Sequence, residues 1–268
     1  MNEKELIEHF EHVRYQIVGY GIEATSPLPT SVGSGFILEH KGEYIFVTAD
    51  HVANTHDNDV RLLNKNIYIQ TNRCIKSSNG LWNVELVPLG EITFMTSLKV
   101  DMESGIVSEQ PLFDAAFVVL KGTTKEANYI TPEIKFREAH VRCGDKKERI
   151  SSERIIEASA DDVYSVFGRV QFSLQKCGKQ DILLSNLIFH TNLKYIGDQD
   201  DYYVLQYDKT VIVEEWKGLS GSPVLNQDGN LIGLACSIDV ILHRIFVKKM
   251  RRVLPLIEAD IFTSKLNN

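Results

Sequence analysis

The stretch Gly218-Leu219-Ser220-Gly221-Ser222-Pro223 sets a serine between two glycines, just ahead of the apolar pair Val224-Leu225. Glycine permits the sharp backbone turn at which a reactive serine can be presented. Such a turn lets the N–H groups of Gly218 and Ser220 point at one spot, where they would stabilise the oxyanion of an acyl-transfer reaction. The stretch therefore predicts a serine nucleophile, Ser220, with an oxyanion hole made by the backbone.

Two upstream segments supply the partners that a serine nucleophile needs. Thr48-Ala49-Asp50-His51 ends an apolar strand with a histidine, and Phe113-Asp114-Ala115-Ala116-Phe117-Val118 opens another strand with an aspartate. A serine hydroxyl needs an adjacent base, histidine is suited to that task near neutral pH, and an aspartate fixes the imidazole tautomer. We therefore predict a catalytic triad of His51, Asp114 and Ser220.

Each of these three segments has an ordinary structural interpretation when it is taken alone. Glycine-serine-proline clusters are common in loops, the chain has eight histidines, and Asp114 could simply begin a buried strand. The combination is more specific, because the residues follow the order His, Asp, Ser and strand-like runs adjoin them. Asp50 and Asp101 are the alternative acids for His51.

Composition narrows the class of protein. The chain has 268 residues, of which 43% are hydrophobic, and this is enough for one large β unit or two small barrels that share a cleft. Its formal net charge of −7 argues against a nucleic-acid partner, which favours a basic face. No apolar run approaches the roughly 20 residues of a membrane span, so no membrane partner is expected.

The cysteines and the N-terminal segment indicate a compartment. The four cysteines are far apart and form no CxxC pair, so free thiols in a reducing environment are expected at Cys74, Cys143, Cys177 and Cys236. Residues 1–5 are charged, and no apolar signal-peptide core follows them. The expected localisation is therefore cytoplasmic.

No metal or other cofactor is expected. His140 and Cys143 could ligate a metal, but no second pair of ligands accompanies them. Asp198, Asp200 and Asp201 resemble a calcium loop only superficially, because the glycine and the distal glutamate of an EF-hand are missing.

The hydrophobic pattern predicts an all-β chain with a helix at each end. Asn2 and Glu5 have the capping-box spacing of a helix over residues 2–15, after which the period changes to that of short strands. Strands are predicted over 15–20, 35–38, 44–48, 66–70, 84–87, 92–94, 115–120, 162–174, 182–191, 202–206, 211–213, 224–225 and 231–234. The predicted organisation is an N-terminal helix plus first β-barrel over 1–139, a polar linker over 140–154, and a second β-barrel plus C-terminal helix over 155–268.

Together these motifs resemble the trypsin/chymotrypsin superfamily of serine peptidases, and in particular its disulfide-free bacterial and viral branch. The resemblance is carried by residues 33–37 with 47–52, by 114–120, by 218–223 and by 233–237. It spans most of residues 15–250 and implies two six-stranded antiparallel barrels with the active site between them. It also implies that Cys236 and Ser237 line the specificity pocket.

The sequence departs from that resemblance at three positions. Val52, rather than a cysteine, follows His51. Leu219 stands where trypsin has an aspartate that pairs with a new N-terminal amine, so activity is expected not to depend on N-terminal processing. Glu214 lies six residues before Ser220, where trypsin-like proteins place the acid of the specificity pocket. An exposed acidic turn is the alternative interpretation of Glu214.

The leading functional hypothesis is a serine endopeptidase that hydrolyses peptide bonds through an acyl-enzyme. The alternative is a catalytically silent barrel that binds peptides or partner proteins, although such a module has no use for an ordered triad. An esterase on a different fold is disfavoured by the chain order and by the lack of a βαβ rhythm. The expected partners are a protein or peptide substrate and a regulatory protein or effector.

Overall fold

The computed structural model describes residues 1–21, 29–57, 60–62, 65–76, 78, 80–90, 92–95, 98–100, 107–109, 113–178 and 180–266. Asp101, one of the alternative acids, lies outside the described residues.

No helix in the described part of the chain has the length and apolar character that crossing a membrane requires.

The first half of the chain is built mainly from short antiparallel strands. They are β1 (Arg14–Gly21), β2 (Ser31–His40), β3 (Glu43–Thr48), β4 (Thr55–Asp57), β5 (Val60–Leu62), β6 (Lys65–Lys76), β7 (Trp82–Pro88), β8 (Thr93–Met95), β9 (Leu98–Val100), β10 (Val107–Glu109), β11 (Phe113–Val119), β12 (Ile134–Phe136), β13 (Ala139–Val141) and β14 (Ile150–Ser151). The main sheet has the order β7-β6-β1-β2-β3-β11-β8, and β14 pairs in parallel with β2. The pairs β4-β5, β9-β10 and β12-β13 form separate two-stranded sheets.

Six strands of the second half close into a barrel. They are β15 (Val163–Cys177), β16 (Gln180–Gln199), β17 (Tyr202–Gln206), β18 (Pro223–Asn226), β19 (Leu231–Asp239) and β20 (Arg244–Lys249). The order around the barrel is β15-β16-β17-β20-β19-β18. The β18–β19 hairpin carries Asp228-Gly229 in its turn, and Gly229 has a φ of 77°, a left-handed conformation that glycine adopts without strain.

The described residues also form four α-helices: α1 (Glu3–Val13), α2 (Asp50–Ala53), α3 (Gly122–Glu126) and α4 (Met250–Leu266). The capping box predicted for α1 is present, with Asn2 and Glu5 each bonded to the backbone of the other. Phe10 of α1 is fully buried, and its ring lies 6.3 Å from that of Phe167 and 6.2 Å from that of Phe189. The N-terminal helix is therefore anchored in the core, on strands of the six-stranded barrel.

The chain is mostly β and has a helix at each end, as predicted. The prediction of two six-stranded barrels is not confirmed, because the first sheet is open along its described strands. The predicted strand over 211–213 is wrong: Val211 is buried in a loop, and Val213 begins a 3-10 turn, Val213–Glu215. A three-residue apolar run is too short for periodicity to separate a strand from a buried loop.

The polar stretch over 140–154 packs closely on the first sheet. Within it, β14 pairs with β2, and Lys147 is only 5% exposed. The division of the chain into two domains at this stretch stays a prediction.

Candidate active site

His51 lies on α2, a single helical turn that follows the buried strand β3. Its side chain is 42% exposed. Its Nδ1 atom lies 2.9 Å from each carboxylate oxygen of Asp114, and its backbone N–H donates to Asp114 Oδ1 over 3.1 Å. Because a carboxylate only accepts hydrogen bonds, Nδ1 carries the ring proton and Nε2 is the basic nitrogen.

Asp114 lies near the start of β11, which pairs with β3 so that Ala116 is opposite Thr48. This pairing brings the carboxylate beside the turn that carries His51. Burial raises the pKa of Asp114, but the hydrogen bond and the charge of His51 outweigh burial, and the pKa lies below its ordinary value. Asp114 is therefore ionised at neutral pH. The Sγ–H of Cys236 donates to the Asp114 carbonyl over 3.3 Å and connects the six-stranded barrel to this strand.

Asp50, the other alternative acid, occupies a different environment. It is fully buried, and its Oδ1 accepts a hydrogen bond of 2.7 Å from Asn54 Nδ2. This bond joins the first residue of the short helix that carries His51 to the residue just after it, which gives Asp50 a structural role.

Ser220 lies on the loop between the Val213–Glu215 turn and β18. The next residue, Gly221, has a φ of 83° and packs so closely on the end of β3 that a Cβ there would lie 2.1 Å from the Ser34 carbonyl oxygen and 3.0 Å from the Ala49 nitrogen. Only glycine fits this position. The serine loop therefore sits against the backbone that leads directly into the His51 turn.

The backbone of this loop leaves two particular N–H groups unused. The N–H groups of Lys217, Leu219, Gly221 and Ser222 donate to the carbonyls of Val213, Trp216, Ala235 and Leu219, respectively. Within the described part of the chain, the N–H groups of Gly218 and Ser220 have no protein acceptor. Gly218 has a φ of 110°, and a Cβ there would lie 2.5 Å from the Arg169 carbonyl oxygen, so the conformation requires glycine. The two available donors are those that the sequence predicted for an oxyanion hole.

A cavity of about 160 Å³ opens beside Ser220. Its wall is mainly apolar and is formed by Val213, Trp216, Lys217, Leu219, Ser220, Ala235, Cys236, Ser237, Ile238 and Ile245. Cys236 and Ser237, the residues predicted for a specificity pocket, are part of this wall. A cavity of this size suits a single medium-sized apolar side chain.

Glu214 does not line this cavity, so its role as the acidic base of a specificity pocket stays a prediction without support from this cavity. It is exposed on the 3-10 turn Val213–Glu215, whose neighbouring Val213 is the residue that faces the cavity. The spacing between Glu214 and Ser220 along the chain suggested this role. On the 3-10 turn, however, the Val213 side chain lines the cavity and the adjacent Glu214 side chain does not.

The wall of the cavity is supported by a residue that the sequence did not single out. His190 is buried, and its ring stacks on Trp216 with centroids 3.9 Å apart and 3° between the planes. Its Nδ1 lies 3.0 Å from the Tyr207 hydroxyl and its Nε2 lies 3.1 Å from the Glu215 carbonyl oxygen. Burial lowers the pKa of His190 to about 4. The hydrogen bond to the Glu215 carbonyl acts to raise this pKa, whereas the charges of Lys209 and Arg137 act to lower it. His190 is therefore a neutral, fixed support at neutral pH.

Among the described residues, no group of three or more His, Cys, Asp or Glu side chains is arranged to hold a metal ion. All four cysteines are free thiols; Cys236 is buried and the other three are exposed.

No protein-family model matches the chain, and no curated protein matches its sequence. Solved structures of other proteins are similar to the chain, among them the following three. A serine endoprotease from Yersinia pestis has 13% identity and a TM-score of 0.44, over 97% of this chain and 66% of that one. The MamO protease domain from Magnetospirillum magneticum has 13% identity and a TM-score of 0.38, over 90% and 94% of the two chains.

The Rv3671c protease from M. tuberculosis, in its active form, has 12% identity and a TM-score of 0.39, over 94% of this chain and 82% of that one. All three are described as proteases, the class to which the sequence resemblance pointed. Because the TM-scores lie below 0.5, the fold and site of this chain rest on its own strand order and side-chain geometry.

Proposed function

We propose that this chain is a serine endopeptidase in which Ser220 is the nucleophile, His51 the general base and Asp114 the residue that orients His51. The observation that carries the proposal is the contact of His51 Nδ1 with both carboxylate oxygens of Asp114 at 2.9 Å. This contact makes Nε2 the basic nitrogen, as removal of a proton from a serine hydroxyl requires. The position of Ser220 beside the His51 turn and at a cavity wall supports the same conclusion.

The proposed reaction is acyl transfer in two steps. Ser220 Oγ attacks the substrate carbonyl carbon while His51 Nε2 accepts the hydroxyl proton, and the oxyanion accepts hydrogen bonds from the N–H groups of Gly218 and Ser220. The C–N bond breaks as His51 returns the proton to the leaving amine, which leaves an ester on Ser220. Water then attacks the ester, His51 takes its proton, and the carboxylic acid departs as Ser220 regains its hydrogen.

The cavity beside Ser220 supports a preference for a medium-sized apolar side chain on the acyl side of the cleaved bond. Its walls offer no carboxylate, since Glu214 lies outside it, and its one charged lining residue is Lys217. Burying a basic substrate side chain there would leave a cation without a carboxylate partner, which is costly. Valine, leucine and methionine are the expected residues.

Covalent labelling tests the proposal. The full chain is treated with a fluorophosphonate probe, and intact mass is measured for the wild type, Ser220→Ala and His51→Ala. One adduct on the wild type, none on Ser220→Ala and strongly slowed labelling of His51→Ala are expected. A wild-type chain that stays unlabelled while it binds peptides would favour the silent binding module instead, and an adduct on Ser220→Ala would contradict the assignment.

A further inference from the structure

A buried cation lies behind the serine loop. Arg14, the first residue of β1, is 1% exposed, and a buried guanidinium is costly unless its hydrogen bonds are made. Its Nη2 donates to Glu11 Oε2 over 3.3 Å, and Glu11 is equally buried. The ammonium of Lys147 donates to Glu11 Oε1 over 3.1 Å and to the Arg14 carbonyl over 2.6 Å. The guanidinium is thus fixed from the side of α1.

The other end of Arg14 leads toward the candidate oxyanion hole. Its Nη1 donates to Ser34 Oγ over 3.3 Å and to Gln16 Oε1 over 3.1 Å. The Ser34 hydroxyl in turn donates to the carbonyl of Gly218 over 3.1 Å. A serine hydroxyl has a single hydrogen and two lone pairs. Because Arg14 occupies a lone pair of Ser34, the hydroxyl proton is directed to Gly218.

Ser34 holds the serine loop at two points. Besides the hydroxyl bond to Gly218, its backbone N–H donates to the Ser220 carbonyl over 2.9 Å. The carbonyl between them, that of Leu219, accepts from the Ser222 N–H over 2.8 Å. Three successive peptide planes are therefore fixed, and the N–H groups of Gly218 and Ser220 are left available.

Leu219 lies in the same neighbourhood. It stands where trypsin has the aspartate of its activating ion pair. A Cβ at Gly168 would lie 2.6 Å from Leu219 Cδ2 and 3.5 Å from Arg14 Cδ, so both side chains pack on this glycine. Arg14 thus places a cation behind the loop. It is connected to the loop through the Ser34 hydroxyl and the Gly218 carbonyl, and no carboxylate takes part in this connection.

We propose that Arg14 and Ser34 are positioning residues that hold the oxyanion loop, residues 216–221, in the conformation with the Gly218 and Ser220 N–H groups available. Arg14, fixed by Glu11 and Lys147, orients the Ser34 hydroxyl, and Ser34 restrains the Gly218 carbonyl. The catalytic meaning of this relay rests on the proposed peptidase function, whereas its effect on the loop does not.

The relay predicts a particular kinetic signature. Ser34→Ala removes the hydroxyl and keeps the backbone N–H, so kcat should fall about 10- to 100-fold, less than the about 10²–10³-fold for complete loss of an oxyanion donor. KM should stay within about twofold, because the cavity is unchanged. A peptide boronic acid, whose adduct places an oxygen anion in the hole, should bind more weakly by the same factor as kcat. Arg14→Lys should lower kcat as well, because an ammonium lacks the guanidinium fork that reaches Glu11 and Ser34 together.

The test compares Ser34→Ala, Arg14→Lys and the matched control Ser165→Ala in the full chain. Ser165 is also a buried serine, but its hydroxyl donates to Thr191 Oγ1 within the six-stranded barrel. Amide hydrogen exchange of the peptide that covers residues 216–222 should accelerate at least about tenfold in both relay variants and stay at the wild-type rate in Ser165→Ala, since loss of a local restraint lowers the free energy of local opening. Wild-type exchange and wild-type kcat in Ser34→Ala would overturn the relay. Faster exchange in a chain that the fluorophosphonate probe never labels would uphold the relay and reject the peptidase.

Discussion

The imidazole of His190 stacks on the indole of Trp216 with 3.9 Å between the ring centroids, and Trp216 forms part of the cavity wall beside Ser220. The ring nitrogens of His190 meet the Tyr207 hydroxyl and the Glu215 carbonyl. Its ring is therefore held in the neutral form by its surroundings, and it links the stability of the barrel to pH.

The free energy of unfolding should fall as the solution is acidified because of His190. Burial lowers its pKa from 6.5 to about 4 in the folded chain, so the unfolded chain binds more protons between these pH values. At about 1.36 kcal/mol per pKa unit, the loss reaches about 3 kcal/mol by pH 4 and is absent above pH 6.5. Urea unfolding at several pH values measures this.

His190→Gln is the control for that measurement, because glutamine can hydrogen-bond but does not titrate. The variant should be less stable at pH 7 and should lose about 3 kcal/mol less than the wild type between pH 6.5 and pH 4. The difference between the two proteins is the informative quantity, since Asp114 and Glu11, whose pKa values are lowered, also make acid destabilising. Identical pH dependence in the two proteins would show that His190 is not the responsible group.

Asp114→Asn should lower turnover by about 10⁴ while leaving the fold intact. The amide oxygen can still accept from the backbone N–H of His51, but the amide NH₂ would donate to Nδ1 and leave the proton on Nε2. His51 would then be unable to accept the proton of Ser220. Peptide hydrolysis and the thermal midpoint are measured together, with Asp161→Asn as an exposed control. Wild-type turnover in Asp114→Asn would exclude Asp114 as the orienting acid.

Substrates that differ only in the residue before the cleaved bond should be ranked by the apolar cavity. Valine or leucine there should give kcat/KM at least about 10²-fold above arginine, because the cavity wall has no carboxylate to pair with a cation. Ala235→Val, which adds methyl groups to the wall, should shift the preference from leucine toward alanine by about 10-fold, within the range for one or two methylenes. Glu214→Gln should leave the ranking unchanged. A strong preference for arginine that Glu214→Gln abolishes would restore Glu214 to the specificity site.

Local signals in the sequence predicted much of this site. The glycines around Ser220, the histidine shortly after β3 and the aspartate near the start of β11 each belong to a recognisable pattern over a few residues. The strands β3 and β11 are adjacent in the sheet, so their pairing brings His51 to Asp114. Patterns of this kind can be read because the residues that define them are neighbours in the chain.

The supports of the site could not be predicted in the same way. The hydroxyl of Ser34 and the carbonyl of Gly218 are 184 positions apart, and nothing near either residue indicates the other. His190 follows an apolar run and looks like any strand residue. The polar composition of 140–154 suggested a solvated linker, yet Lys147 is buried because Glu11 supplies a buried charge 136 positions away.

The buried pair of Glu11 and Lys147 should dominate the stability of this region. Glu11→Gln leaves two cations without a carboxylate and should lower the free energy of unfolding by about 3–5 kcal/mol. Lys147→Met should lower the free energy of unfolding by less, because Glu11 keeps Arg14 as its partner and the methionine fills similar space.

Burial lowers the pKa of Lys147 from 10.5 to about 8, so the folded chain binds fewer protons than the unfolded chain between these pH values. The wild type should therefore gain up to about 3 kcal/mol from this group as pH rises from 8 to 10.5, and Lys147→Met should lack that gain. Urea unfolding at pH 7.5 and pH 9.5 checks both expectations; a loss below about 1 kcal/mol in Glu11→Gln would mean that the cations are stabilised by the surrounding hydrogen bonds alone.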